Sequence, residues 1–145
     1  TLSLDDTNQI ISILRRRFPH IQGPTKDDIC YATQNRQNAV KVLAKSVDIV
    51  LVVGAENSSN TLRLVEVAKS NGTHAIRIQS YTELKKNWVK DFKKIGITAG
   101  ASAPEEIVQG IINKLCEWNP LSIVKEIKIT EENVNFALPV QLKNF

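Results

Sequence analysis

The hydrophobic pattern has one dominant feature. Ile49, Val50, Leu51, Val52 and Val53 follow one another with no polar residue between them, and four of the five are β-branched. A run of this length without alternation predicts a strand buried on both faces of a parallel sheet. Gly54 closes it, and a small polar loop, Ala55-Glu56-Asn57-Ser58-Ser59-Asn60, opens a helix marked by Leu62, Leu64, Val65 and Ala68 and stopped at Gly72. Ser58, Ser59 or Asn60 supplies the N-cap of that helix. Downstream, residues 74–78 and 95–98 predict two more strands, and residues 81–89 a shorter helix with Leu84 and Trp88 facing inward. A second small polar loop, residues 98–104, opens a last helix with Pro104 near its first position. Ile107, Val108, Ile111, Ile112 and Leu115 form the buried face of that helix.

Upstream of the run, Leu4, Thr7, Ile10, Ile11, Leu14 and Phe18 keep helical spacing, from a Ser3 cap with Asp6 three residues on to a stop at Pro19. No strand precedes this helix, so its natural packing partner is expected outside the sequence. Ala39, Val40, Leu43 and Ala44 mark another helix, with Thr33 or Asn35 as its cap. From Asn119 onward the pattern weakens. Residues 122–129 and 133–142 alternate like extended segments that carry little core of their own.

The order strand-helix-strand-helix-strand-helix over residues 48–116 gives the fold class: a three-layer α/β sandwich with a parallel sheet, a Rossmann-like module. Right-handed crossovers place the carboxyl ends of all three strands on one edge, where ligands of such sheets bind. Loops 54–60 and 98–104 both fall on that edge. Free backbone N–H groups at two helix starts, with Ser58, Ser59, Asn60 and Ser102 beside them, make an anion the natural occupant. Neither loop contains Lys or Arg, and Glu56 is acidic, so neutral donors and helix dipoles would carry the binding. No glycine-rich phosphate motif of the P-loop or dinucleotide type occurs. Taken alone, a Ser-Ser-Asn stretch is also an ordinary helix cap.

Charge and cysteine content narrow the picture further. The 145 residues carry a net charge of +4, much of it in Arg15, Arg16 and Arg17 and in Lys85, Lys86, Lys90, Lys93 and Lys94. Such runs are ordinarily solvated helix faces, and no aromatic interleaving supports nucleic-acid binding. No apolar stretch approaches the roughly 18 residues of a membrane span, and no secretory leader is evident, so a soluble cytoplasmic protein is expected. The two cysteines, Cys30 and Cys116, lack metal-ligand spacing and do not form a disulfide scaffold. Cys30 lies just ahead of a helix start, where the helix dipole favours a thiolate; its plain alternative is a small buried hydrophobe. Cys116 is expected to be structural, and His74 a strand-edge residue.

Three blocks then point to a family. D-D-I-C-Y-A-T-Q-N-R-Q (residues 27–37), L-V-V-G-A-E-N-S-S-N (51–60) and I-T-A-G-A-S-A-P (97–104) closely resemble 4-hydroxy-3-methylbut-2-enyl diphosphate reductases, in the order those proteins carry them. The resemblance runs over nearly the whole chain. It implies an iron–sulfur reductive dehydroxylase of three α/β modules, which takes two electrons and two protons and expels water from an allylic diphosphate. The products are isopentenyl and dimethylallyl diphosphate, in the non-mevalonate isoprenoid pathway. It implies a 4Fe–4S cluster held by one cysteine from each module, with Cys30 as the third. It also implies diphosphate binding by Ser58, Ser59, Asn60 and Ser102, and an electron donor such as ferredoxin or flavodoxin. The family's other cluster cysteines, its histidines and its proton-delivering glutamate have no counterpart here. No catalytic residue is therefore expected within the chain, which would work only beside the missing N-terminal half. On this reading residues 1–22 end a preceding module, 23–118 are the complete third module and 119–145 an extended tail. The same loops would also suit a non-catalytic phosphate- or sugar-phosphate-binding regulatory module, which needs no cysteine.

Overall fold

The computed structural model describes residues 2–23 and 30–129. Three strands, β1 (Ile49–Val53), β2 (His74–Ile78) and β3 (Ile95–Ala99), form one parallel sheet in the order β2-β1-β3. Leu51 stands level with Ile76 on one side and with Ile97 on the other. β1 is the central strand, and all five of its side chains are buried. This is why its apolar run is unbroken.

The helices are α1 (Leu4–Arg17), α2 (Tyr31–Ala44), α3 (Ser59–Ser70), α4 (Lys86–Val89) and α5 (Glu105–Trp118). Val50 and Val52 pack with Val40 of α2 and Leu64, Val67 and Ala68 of α3. On the opposite face Ile49, Leu51 and Val53 pack with Leu84, Val89 and Ile111. The sheet is thus covered on both sides, as the expected three-layer sandwich requires. α2 lies close over β3 because Gly96 has no side chain: a Cβ there would come within 2.9 Å of Leu43.

Connectivity places the site. From β1 the chain passes through α3 to β2, then through α4 to β3 on the other side of β1. Adjacent strands β1 and β3 therefore send their following helices, α3 and α5, to opposite faces of the sheet. Such a switch point opens a crevice between the carboxyl ends of the two strands. α2 ends just before the start of β1, so it runs against the strands and its first residues lie at the carboxyl edge too.

Two sequence expectations need correction. The helix expected over residues 81–89 shrinks to α4. The Ser80 hydroxyl accepts from Thr82 N at 3.2 Å and the Glu83 carboxylate from Gln79 N at 3.0 Å, so residues 79–83 close as a turn instead. Leu84 still reaches the core, from outside any helix. α2 starts earlier than Thr33 or Asn35 would set it, with Cys30 itself at the N-cap and its carbonyl accepting from Thr33 N and Gln34 N. Pro104, placed near the first residue of α5, is its N-cap, with an extended backbone (ψ 139°). After α5, Leu121 and Ile123 are 90% and 83% exposed. Residues 133–142 lie outside the described residues.

α1 begins at the expected Ser3 cap, whose hydroxyl accepts from Asp6 N at 3.0 Å, but it buries none of its residues. Its start is fastened to α2 by Gln37, a fully buried amide that donates to Leu2 O at 3.1 Å and accepts from Leu4 N at 3.0 Å. The exposed pair Lys41–Asp5 (2.8 Å) adds little, since such pairs are worth about 0–1 kcal/mol. Gln37→Leu should therefore release α1: stability falls by about 1–3 kcal/mol as two partly buried backbone groups lose their partners. Hydrogen exchange checks this, with faster exchange expected at Leu4 and unchanged protection across β1.

Candidate functional site

The site is built where β1 and β3 end. Gly54 N–H donates to Ile78 O at 3.0 Å and Gly100 N–H donates to Val53 O at 2.8 Å, so the exits of all three strands are tied together. Thr61, 1% exposed, wedges between the two loops. A Cβ on Gly54 would collide with the Thr61 side chain, and one on Gly100 would come within 2.6 Å of Thr61 Oγ1. Glycine at both positions is what lets the loops close on each other. Leu62, one of the residues that marked this helix, is exposed, and its neighbour Thr61 is the buried one.

The candidate donors divide by what they already do. Ser58 is the N-cap of α3, its hydroxyl accepting from Thr61 N at 3.3 Å. That hydroxyl keeps its own proton to donate. Ser59 opens α3 and Ser102 lies in the turn after β3, both exposed, with side chains unengaged among the described residues. Asn60 differs: its Oδ1 and Nδ2 are both enclosed and neither has a hydrogen-bond partner. A Cβ on Gly100 would sit 3.7 Å from Asn60 Nδ2, so this amide belongs to both loops. Leaving a buried polar group unmatched costs about 1–3 kcal/mol, so such a group calls for a ligand or another specific reason.

The cations at this edge were not legible in the loops themselves. Arg36 of α2 donates from Nη1 to Ala99 O at 2.9 Å, across 63 residues of sequence. Arg77 of β2 reaches Gly54 O at 3.4 Å and lies 3.9 Å from Glu56 Oε1. Two guanidinium groups thus stand at this edge beside the neutral donors of the loops.

Cys30 is exposed, free, and at the N-cap of α2 on the same edge. It fits the role of one thiolate ligand. Among the described residues no three His, Cys, Asp or Glu side chains form a metal-binding group, so a cluster would need ligands beyond this chain. Cys116 is half-buried near the far end of α5, at the opposite edge. A groove of about 550 Å³ opens around the start of β2, beside His74, Trp88 and Phe92, but none of the donor residues lines it. We place the site at the switch point, where the unmatched amide lies. Among the described residues no helix is long and apolar enough to cross a membrane.

Known proteins match this chain in sequence and in backbone. Residues 1–116 match the family model described as LytB protein. A 4-hydroxy-3-methylbut-2-enyl diphosphate reductase of Pseudomonas aeruginosa is 52% identical over 143 residues, covering 99% of this chain. One from Acinetobacter baumannii is 51% identical over the same length. The chain spans 45% of the length of each. The solved E-1-hydroxy-2-methyl-but-2-enyl-4-diphosphate reductase of Plasmodium falciparum superposes with a TM-score of 0.77 at 36% identity, over 83% of this chain and 37% of that one. A second solved structure, a reductase described as the terminal enzyme of the non-mevalonate pathway, gives a TM-score of 0.59 at 30% identity, over 81% and 41%. With both the sequence of residues 1–116 and the backbone matching, this chain belongs to the LytB protein family.

Proposed function

We propose that the chain is the diphosphate-holding portion of a 4-hydroxy-3-methylbut-2-enyl diphosphate reductase, an oxidoreductase of isoprenoid synthesis, and contributes one of its cluster cysteines. The observation that carries this reading is Asn60: an enclosed, unmatched amide at the convergence of two helix-opening loops. A diphosphate oxygen would accept from Nδ2, with Ser58, Ser59 and Ser102 hydroxyls donating around it. The backbone N–H groups at the start of α3 complete the cradle. In this arrangement the chain binds and orients the allylic diphosphate and shields its charged end. A 4Fe–4S cluster, held by Cys30 with cysteines from the rest of the protein, would supply the two electrons of the reduction. Proton delivery falls to residues outside this chain.

The exposed surfaces support such a partnership. Ile10 and Ile13 of α1 and its C-cap Phe18 are about half exposed, and Leu121, Ile123 and Val124 after α5 are more exposed still. On our reading a preceding module covers α1, residues 23–118 act as a third module, and the tail from 119 packs on the remainder of the protein. Ferredoxin or flavodoxin would be the electron donor, in the cytoplasm.

Pyrophosphate binding by a full-length protein carrying this chain, measured calorimetrically, tests the reading. Asn60→Ala should weaken it about tenfold or more, because a bond to a charged acceptor is worth about 1.5–3 kcal/mol. Its stability should hardly change, since Asn60 makes no hydrogen bond now. Ser58→Ala should weaken binding and also cost about 1 kcal/mol as α3 loses its cap. Unchanged pyrophosphate affinity in both variants would reduce the loop to a helix cap.

A further inference from the structure

We propose that Arg36 is a positioning residue: it locks the Cys30 helix to the Ser102 loop and brings to the anion site the positive charge that neither loop contains. The proposal rests on the diphosphate reading above. Arg36 lies in the second turn of α2, half-buried, and its one recorded bond is to Ala99 O at 2.9 Å. Ala99 is the last residue of β3. The peptide that follows is held at both ends, its carbonyl by Arg36 and its N–H by Val53 O at 2.8 Å. Gly100 O then accepts from Ala103 N at 3.1 Å. Ser102 sits at the tip of this closed turn. The turn is therefore fixed to β1 by one bond and to the Cys30 helix by the other.

Charge makes the second argument. Arg77, the other guanidinium at this edge, has Glu56 beside it. Among the described residues no carboxylate forms an ion pair with Arg36. A carbonyl dipole is a partial match for a half-buried cation, and such charges ordinarily have a counter-ion. Among the described residues the edge is one anion short, at a point where an unmatched Asn60 amide also waits for an acceptor. Both shortages are met by one phosphate-bearing ligand. No direct contact between Arg36 and that ligand is required: the guanidinium acts through the Ala99 carbonyl and through its field, which is strong in a partly dehydrated crevice.

The test uses inorganic pyrophosphate as the probe, titrated into full-length protein carrying this chain, with iron content and thermal midpoint measured on the same samples. Arg36→Gln and Arg36→Met, which both remove the charge, should weaken pyrophosphate about tenfold, the size of a lost charge-assisted bond. Arg36→Lys should recover affinity to within about threefold, because the ammonium keeps both a donor and the charge. Iron content should stay at the wild-type value in all three. Should one neutral variant fold poorly, the other and the lysine rescue still decide the matter. Wild-type affinity in a folded neutral variant overturns the proposal, as does a lysine variant no better than the neutral ones. Asn60→Ala separates the two readings. If it loses affinity while the neutral Arg36 variants do not, only the role of Arg36 fails; if none of them loses affinity, the diphosphate reading itself fails.

Discussion

Replacing Cys30 by serine in a full-length protein carrying this chain is expected to abolish stable iron–sulfur loading, while Cys116→Ser leaves it intact. A cluster with three protein ligands needs three thiolates converging on one point, and each is a strong bond that serine replaces poorly. Cys30 is exposed at the start of α2, on the edge where β1 and β3 end. Cys116 lies near the other end of the molecule, half-buried on α5. The same geometry predicts that the isolated chain, reconstituted anaerobically with iron and sulfide, holds no stable cluster, because its described residues offer no three-ligand group. Analysis of bound iron and sulfide after desalting is the measurement. Loss of the cluster in Cys116→Ser with retention in Cys30→Ser would defeat both the assignment of Cys30 and the argument from the switch point.

What the sequence disclosed, and what it withheld, follows from range. β1 was legible because a central parallel strand is apolar on both faces, and its neighbours in the chain carry that signal alone. The Ser3 cap was legible, and the cap of α3 was narrowed to Ser58, Ser59 or Asn60, because the donor a cap serves lies three residues away. Both candidate loops were legible as small polar turns between a strand and a helix. Arg36 and Gln37 were not, although they stand side by side in a block that was recognised. Their partners lie 63 residues downstream and 33 to 35 upstream, and no periodicity encodes a bond of that span. The helix over residues 81–89 is shorter for a local reason. Leu84 and Trp88 do have helical spacing, but Ser80 and Glu83 close residues 79–83 as a turn ahead of α4. Thr61 escaped notice because a buried threonine beside an exposed leucine reverses the usual ranking. Its place follows from two glycines that leave room for it.

That room gives the last prediction: Gly100→Ala should disable the anion site, and Thr61→Ala should restore much of it. A Cβ on Gly100 would meet Thr61 Oγ1 at 2.6 Å, with Val53 O at 3.6 Å and Asn60 Nδ2 at 3.7 Å. The first contact is closer than a carbon and an oxygen tolerate, so either Thr61 turns or the turn after β3 moves. Thr61 cannot turn freely, being almost wholly buried against Gly54 as well. The turn carrying Ser102 should therefore move outward, away from Asn60. A displacement of about 1 Å at a positioned site can cost about a hundredfold, so pyrophosphate affinity should fall by that order. Removing the threonine side chain takes away the clash and leaves the two longer distances, which are ordinary packing contacts. The double variant Gly100→Ala/Thr61→Ala should accordingly bind within about tenfold of wild type, a coupling of more than about 1 kcal/mol between residues in contact. Thr61→Ala alone leaves a small void and should cost mainly stability. Calorimetric titration of all four proteins closes the cycle. Strictly additive losses would mean that Gly100 matters for backbone freedom rather than for the space it leaves between the two loops.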